Sequence, residues 1–516
     1  MKIINETILI IDYGSQYTQL IARKIREQKI YCVVYPYNKI SSSILNNKDL
    51  SGIILSGGPN SVKDKQSPKL NKKILELKIP ILGICYGLQL ICKEFGGNIG
   101  QSSSREYGHS LITRKNKSKL LDGLKKKSQV WMSHGDHIKK APKNFTITSL
   151  SNNRVISSIE DKRSKIYGLQ FHPEVYHSLE GVKILSNFLL KICKITKKFK
   201  LDDFLRNKIN ELKNNLKNKK VICGLSGGVD STVTSFLLHK AIKNNLYCIF
   251  VDHGLLRINE SNEVVSIFKK KFGKNFIRID ASNIFLSNLK NIKDPEKKRK
   301  IIGKTFIKVF EKEAKKIKKV EYLAQGTLYP DIIESIPFFG GPTAKIKSHH
   351  NVGGLPKKIN LKIVEPLKEL FKDEVRFLGK KLNISPDLLN RHPFPGPGLS
   401  IRIPGAIDRK KINILQRVDN LFITYLKENN IYKKIWQAFA ILLPIKSVGV
   451  MGDERTYNYC VVIRAVTSVD GMTADFYMFS KKNLNEISKK IISNVKEVNR
   501  VLYDFTSKPP GTIEWE

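Results

Sequence analysis

The sequence predicts an α/β protein: two doubly wound parallel-sheet domains in succession, followed by a small α+β domain. Three observations carry this. Short apolar runs alternate with longer helical patterns, and do so twice; the Lys-rich stretch KITKKFKLDDFL separates the two series near residue 196; and the proline-dense RHPFPGPGL at 391–399 ends the second. With 516 residues there is room for about three domains, each with its own core. The boundaries are placed at 1–198, 199–391 and 392–516.

In the first series the strand-like runs are TILIID, GIILSGG at 52–58, IPILGIC at 79–85, QVWMS at 129–133 and IYGLQFH at 166–172, taken as members of a mostly parallel sheet covered by helices on both faces. The Lys-rich stretch reads as a linker running into a helix. The second series holds VICGLSGG at 221–228, LYCIFVD at 246–252, NFIRID at 275–280 and EYLAQGT at 321–327, again buried strands with crossovers. The three prolines of 391–399 remove amide donors and fix backbone angles, so a domain boundary falls there. Beyond it, strand candidates at 436–443, 458–466 and 501–505 lie among long helical patterns.

Composition narrows the class. Lys+Arg 91 against Asp+Glu 46 gives a net charge of +45, which alone points to a polyanion partner. The lysines are spread along the chain with abundant Asn and Ile, as a codon bias would spread them, and no basic stripe is interleaved with aromatics. A solvated basic surface without a nucleic-acid partner is therefore expected. No run of eighteen apolar residues occurs, and MKIINETILIIDYG lacks the parts of a signal peptide, so a cytoplasmic protein without membrane contact is expected. The seven cysteines form no CxxC pair, which argues against disulfides and structural zinc.

Two segments carry chemistry. In Gly83-Ile84-Cys85-Tyr86-Gly87 the cysteine sits between an apolar strand and the helical run LQLICKEF. A tight turn there exposes a nucleophile, while the helix N-terminus favours a thiolate and a developing oxyanion. A free thiol with a pKa of about 8.5 needs a base beside it at neutral pH. Phe171-His172-Pro173-Glu174 ends another predicted parallel strand at the same sheet edge, so His172 can take the proton and Glu174 can orient the ring. His134 and His137 in SHGDH are competing bases. The second segment, Ser226-Gly227-Gly228-Val229-Asp230-Ser231, follows VICGL and opens the helix that includes Thr232. Small residues at a helix N-terminus turn amides toward an anion, and phosphate is the expected guest. No GKS/T closes the loop, which sets it apart from the Walker A pattern.

GICYG, FHPE and the SGGP of Ser56 to Pro59 together resemble class I glutamine amidotransferases over about residues 5–195. The resemblance implies a Cys85–His172–Glu174 triad that hydrolyses glutamine through a thioester, an oxyanion hole from Gly57 and Gly58 with the Tyr86 amide, and Gln89, Ser133 and His134 around glutamine. The SGGVDS loop is similar to that of N-type ATP pyrophosphatases, an adenine-nucleotide α-hydrolase-like fold that releases pyrophosphate and leaves an adenylate. Asp230 is the candidate to meet Mg²⁺ on pyrophosphate, Val251 to meet adenine, and Gln325, Gly326, Thr327 and Asp331 to complete the ATP site. Lys347, His349 and His350, ahead of VGGLP, are read as a lid over triphosphate, with a plain solvated loop as the alternative.

The tail Lys508-Pro509-Pro510-Gly511-Thr512-Ile513-Glu514-Trp515-Glu516, with RHPFPGPGL, GTLYPDIIES, KSHHNVGGLP and VEPLKELFKDEVR, resembles the amidotransferases that aminate xanthosine monophosphate (XMP) at the expense of glutamine and ATP. By this likeness Lys508 meets phosphate, Glu514 the purine ring or its surroundings, Arg299 makes a third contact and Thr512 also binds the nucleotide, and the last domain pairs two subunits. Two rival readings stand beside it. One is another adenylylating amidotransferase, such as an NAD synthetase or a tRNA-modifying enzyme, although the first usually carries a nitrilase-type glutaminase and the second extra cysteines near its loop. The other is a nucleic-acid-binding protein built on inactive enzyme folds, which predicts steeply salt-dependent RNA binding.

Overall fold

The computed structural model describes residues 6–334, 361–451, 453–468 and 473–516. They fall into two compact units, one made of the residues up to Phe204 with 332–334, and the other of Leu205–Asp331 and the described residues from 361 onward.

The first unit is built on a nine-stranded sheet of β1 (Thr7–Asp12), β2 (Tyr31–Pro36), β3 (Leu50–Leu55), β4 (Ile81–Ile84), β5 (Asn98–Arg114), β6 (Lys127–Lys140), β7 (Thr146–Ser151), β8 (Ile156–Asp161) and β9 (Ile166–Leu169), in the order β2-β1-β3-β4-β9-β8-β7-β5-β6. From β2 to β9 neighbouring strands are parallel. β1, β4 and β9 are buried at every residue, as strands covered on both faces must be. The helix Thr18–Glu27 lays Ile21, Ala22 and Ile25 on the core at helical spacing.

The other half of the sheet departs from the mostly parallel expectation. β9, β8, β7, β5 and β6 are joined antiparallel. QVWMS belongs to β6, where Ser128, Val130, Met132, His134, Asp136 and Ile138 are buried in strict alternation, the signature of a strand with one face on the core. β7 and β8 escaped sequence reading because their inward positions include serines. Those serines satisfy one another, with Ser149 Oγ 2.6 Å from both Ser157 Oγ and Ser158 Oγ.

In the second unit, β10 (Lys220–Leu225), β11 (Leu246–Asp252), β12 (Phe276–Asp280), β13 (Val320–Ala324) and β14 (Lys362–Val364) form a five-stranded sheet, all neighbours parallel, in the order β12-β11-β10-β13-β14. β10 lies between β11 and β13, so successive crossovers leave its end in opposite directions, the position where open α/β sheets bind ligands. A further sheet pairs β15 (Gln437–Met451) antiparallel to β16 (Glu454–Thr467), with β17 (Asp475–Phe476) and β18 (Val498–Asp504) both on β16. The helix Arg409–Glu428, capped by Asp408, buries Ile412, Leu415, Val418, Phe422 and Leu426 against this region.

The prolines of 391–399 do end the second helical series, but they do not loosen the chain. Leu399 donates its amide to Leu255 O at 2.9 Å, and Leu399 and Ile403 belong to one core with Ile249 and Val251 of β11 and with Val418 and Phe422. Arg257 reaches Asp419 at 3.0 Å and Ala438 O at 3.3 Å from the same side. Among the described residues no helix is long and apolar enough to cross a membrane, and the cysteines are all free thiols.

Two buried histidines tie this core to pH. His392 stacks on Tyr432 with ring centroids 3.7 Å apart, accepts from the Ala438 amide at Nδ1 and donates Nε2–H to Tyr432 O. His253 accepts from the Leu255 amide at Nδ1. Burial pushes both from 6.5 down to about 4. The folded form thus binds fewer protons than the unfolded one between those values, so the stabilisation is complete above pH 6.5 and is lost as pH falls toward 4. Thermal melts of the protein from pH 7 to 4 should show a falling Tm, and His392→Gln, whose amide matches both hydrogen bonds, should flatten the slope.

Candidate active sites

The carboxyl ends of three parallel strands in the first unit converge. β4 runs into Cys85, whose φ of +51° and ψ of −103° mark a strained turn into the helix Tyr86–Glu94. The turn is possible because Gly87 lies on β3. A Cβ there would stand 2.5 Å from Leu55 O, and one on Gly83 would meet the Gly87 backbone at 2.6 Å. β9 leads to Gln170, His172 and Glu174. His172 Nδ1 is 2.7 Å from Glu174 Oε1, and both side chains are almost wholly buried. Cys85 interacts electrostatically with the same imidazole. Burial disfavours the imidazolium, but the Glu174 carboxylate and Cys85 outweigh it and raise His172 to about 10. The sheet edge thus gathers a thiol, an imidazole held in its protonated form and the carboxylate that holds it so.

β3 delivers the loop at Gly57 and Gly58, and a Cβ on Gly57 would lie 3.1 Å from His172 Cε1. Ser56 fastens this loop: its hydroxyl accepts from the Tyr13 amide at 2.9 Å and donates to Gly57 O at 2.8 Å. Of the residues expected around glutamine, Ser133 presents its carbonyl to Cys85 Sγ at 3.7 Å. Gln89 is buried and donates to Asp136 O at 2.8 Å, His134 pairs with Glu106 at 3.2 Å, and the Tyr86 hydroxyl is tied to Pro68 O. His137 is lowered by burial and by the neighbouring His134. Three neighbours were missed from sequence: Tyr17, whose ring meets His172 edge-on at 4.9 Å, Ser15 beside Gly57, and Gln170, whose amide is 3.8 Å from Cys85 Sγ. The only sequence signal for the first two was the position of DYGSQY at the end of β1.

At the end of β10 the second loop turns through Gly227 at φ +76° into the helix Val229–Ile242. Its hydroxyls bond back on the loop: Ser231 Oγ accepts from Ser226 N at 3.3 Å and lies 3.1 Å from Ser226 Oγ, and Thr232 Oγ1 donates to Gly228 O at 2.7 Å. Asp230 is paired with Lys372 at 2.6 Å and 2.9 Å, a cation at the loop that went unassigned from sequence. A Cβ on Gly326 would sit 3.0 Å from the Asp230 backbone, so β13 brings Gln325–Thr327 against the loop as expected. Thr327 bonds Glu365 and Asp331 accepts from Leu328 N. The Val251 side chain is packed in the core, which leaves its main chain for any adenine contact. Lys347, His349 and His350 lie outside the described residues.

The tail segment is anchored residue by residue. Lys508 exchanges main-chain hydrogen bonds with Ala474. The fully buried Arg464 donates to Thr512 O and Ile513 O, both at 2.8 Å. Glu514 takes a two-pronged bond from Arg402 at 2.8 and 3.1 Å and another from Gln437, while Arg299 reaches Glu516 O.

Comparison with known proteins agrees with this division. Residues 9–192 match the class-I glutamine amidotransferase family, 198–306 the NAD synthase family and 424–515 the GMP synthase C terminal domain. The chain is thus a glutamine amidotransferase joined to an ATP pyrophosphatase-like synthetase. It is 51% identical to the glutamine-hydrolysing GMP synthase of Bradyrhizobium diazoefficiens, over 99% of this chain and 93% of that one, and 53% identical to that of Petrotoga mobilis, over 99% and 100%. With the Thermosipho melanesiensis enzyme it shares 52% over 99% and 100%. The chain belongs to the glutamine-hydrolysing GMP synthase family.

The glycine packing at Cys85 can be tested directly. Gly87→Ala should cost about 1–3 kcal/mol in urea denaturation, because the new methyl meets the rigid β3 carbonyl. Gly303→Ala, in a helix with open space around it, should be neutral or stabilising.

Proposed function

We propose that Cys85, His172 and Glu174 release ammonia from glutamine in the glutamine-dependent synthesis of GMP from XMP, with ATP cleaved to AMP and pyrophosphate. The observation that carries this is the buried His172–Glu174 pair beside Cys85 at a strained strand-to-helix turn. His172 already carries the proton as sulfur attacks the glutamine amide carbon, and the tetrahedral oxyanion meets the amides of the Gly57–Gly58 loop and Tyr86. Protonated by His172, ammonia leaves, and water then cleaves the thioester to glutamate. Gln89, Ser133 and His134 shape the glutamine site.

In the second unit, the loop from Ser226 to Thr232 takes the β- and γ-phosphates of ATP while O2 of XMP attacks the α-phosphorus. This forms an adenyl-XMP intermediate and expels pyrophosphate. Ammonia then attacks C2 and displaces AMP, giving GMP. Gln325, Gly326, Thr327 and Asp331 flank the nucleotide, and the Val251 main chain borders adenine. The donor set suits Mg²⁺: Asp230 is a single half-exposed carboxylate beside a phosphate loop, and Mg²⁺ binds through one or two carboxylates together with substrate phosphates. When bound, the ion neutralises phosphate charge. Lys372 would be freed from Asp230 to meet a phosphate oxygen. Lys508 and Arg299 are assigned to the XMP phosphate, and Thr512 and Glu514, the latter oriented by Arg402 and Gln437, to its purine side.

The assembly is read as a cytoplasmic homodimer paired through the last domain. The exposed Ile445, Val448, Val450 and Tyr457 of the β15–β16 hairpin, with Leu502 and Phe505, support this reading, because such apolar residues cluster where subunits meet. Val450→Glu should shift sedimentation from dimer to monomer.

Two measurements test the chemistry. Cys85→Ala should abolish glutamine-supported GMP formation and leave the ammonium-supported reaction, followed by chromatography of GMP and AMP; loss of both would overturn the division of labour. Glu174→Gln should slow glutamate release by roughly two to four orders of magnitude, the usual worth of an oriented base.

A further inference from the structure

Lys298 lies in the helix Pro295–Ala314 with none of its side chain exposed. A buried ammonium needs all three of its donors satisfied and a counter-charge close by. Its partners are Ser400 O at 2.9 Å, Ile403 O at 2.8 Å and the Glu516 carboxylate at 2.5 Å. The other oxygen of Glu516 accepts from the Gly405 amide at 3.4 Å, and its main-chain carbonyl accepts from Arg299, the neighbour of Lys298. One residue thus joins the 398–405 turn to the helix that carries Arg299.

The residues before it are held from other elements. Trp515 Nε1 donates to Asp504 at 2.8 Å on β18, Glu514 is held by Arg402 and Gln437, and Thr512 and Ile513 by Arg464 of β16. Those contacts fix residues 512–515 against the last sheet. The contacts of Glu516 set that segment relative to the helix at 295–314. A buried ion pair adds little net stability over an apolar pair of the same shape, whereas it does specify one arrangement.

We infer that Lys298 and Glu516 are a positioning pair, a buried latch that fixes residues 508–516 and Arg299 in one arrangement before the acceptor nucleotide arrives. Neither side chain touches the acceptor. The latch acts through Arg299 and the tail, and it rests on the reading that these two meet XMP. A preformed site spares the nucleotide the ordering of nine residues, so the effect falls on binding of this one substrate.

The test uses the full chain with ammonium as nitrogen donor, measuring KM for XMP and for ATP together with kcat. Glu516→Ala should raise KM for XMP by about tenfold or more, with KM for ATP and kcat at saturating XMP within about threefold, and with glutamine hydrolysis unaltered. Glu516→Gln, whose amide oxygen still accepts from Lys298, should show a smaller rise and provides the measurement if the alanine variant folds poorly. An unchanged KM for XMP in both variants, or a parallel rise for ATP, overturns the latch. Lys508→Ala tests the underlying reading by itself: a raised KM for XMP with no effect of Glu516→Ala removes the latch and keeps the reading. No effect of Lys508→Ala removes the reading that the tail meets the acceptor.

Discussion

Parallel strands bring their carboxyl ends to one edge of a sheet, and both candidate sites depend on that constraint. In the first unit the ends of β3, β4 and β9 supply the Gly57–Gly58 loop, Cys85 and the His172–Glu174 pair, three segments far apart in the chain and adjacent in space. In the second, β10 stands where the crossovers diverge, so the amides of its following loop face outward without a strand to pair with. Each site is then finished by a local device. At Cys85 it is a backbone held at positive φ by glycine packing, and at Ser226–Thr232 a helix N-terminus with hydroxyls turned back on the loop.

Charge is handled differently in the two units. The first buries two histidine–carboxylate pairs, with Glu174 under His172 and Glu106 under His134, and keeps its lysine and arginine pairs near the surface. The second buries arginines as structural ties. Arg402 lies over the Phe439 ring at 4.2 Å while gripping Glu514, and Arg464 joins Asp504 to the main chain of 512–513. Guanidinium suits this use because its planar fork satisfies several acceptors at once and its faces tolerate aromatic carbon.

Much of this was legible in the residues. The all-buried strands, the turn at Cys85, the histidine–glutamate pair and the glycine loop at the head of a helix are local patterns, read from runs of a few residues whose chemistry does not depend on distant packing. The antiparallel half of the first sheet was hidden because its inward positions mix polar with apolar residues: β7 and β8 bury serines, and β6 buries His134 and Asp136. Ser15, Tyr17, Gln170 and Lys372 were missed because their roles arise from tertiary proximity, with nothing in their neighbourhood in sequence to mark them. The prolines of 391–399 suggested a domain boundary, yet the apolar residues on either side pack into a core that runs through them.

That shared core has a consequence for how the chain divides. Residues 194–200 carry no regular structure and are followed by the helix Leu201–Asn215, within which the two compact units part. A cut in that linker would leave each body with its own sheet and its own apolar interior. A cut at the prolines would strip Leu399, Ile403, Val418 and Phe422 from Ile249 and Val251 and lay bare the inside of a single body. In folding terms the synthetase portion and the last sheet stand or fall as one body, whereas the glutaminase portion closes around an interior of its own.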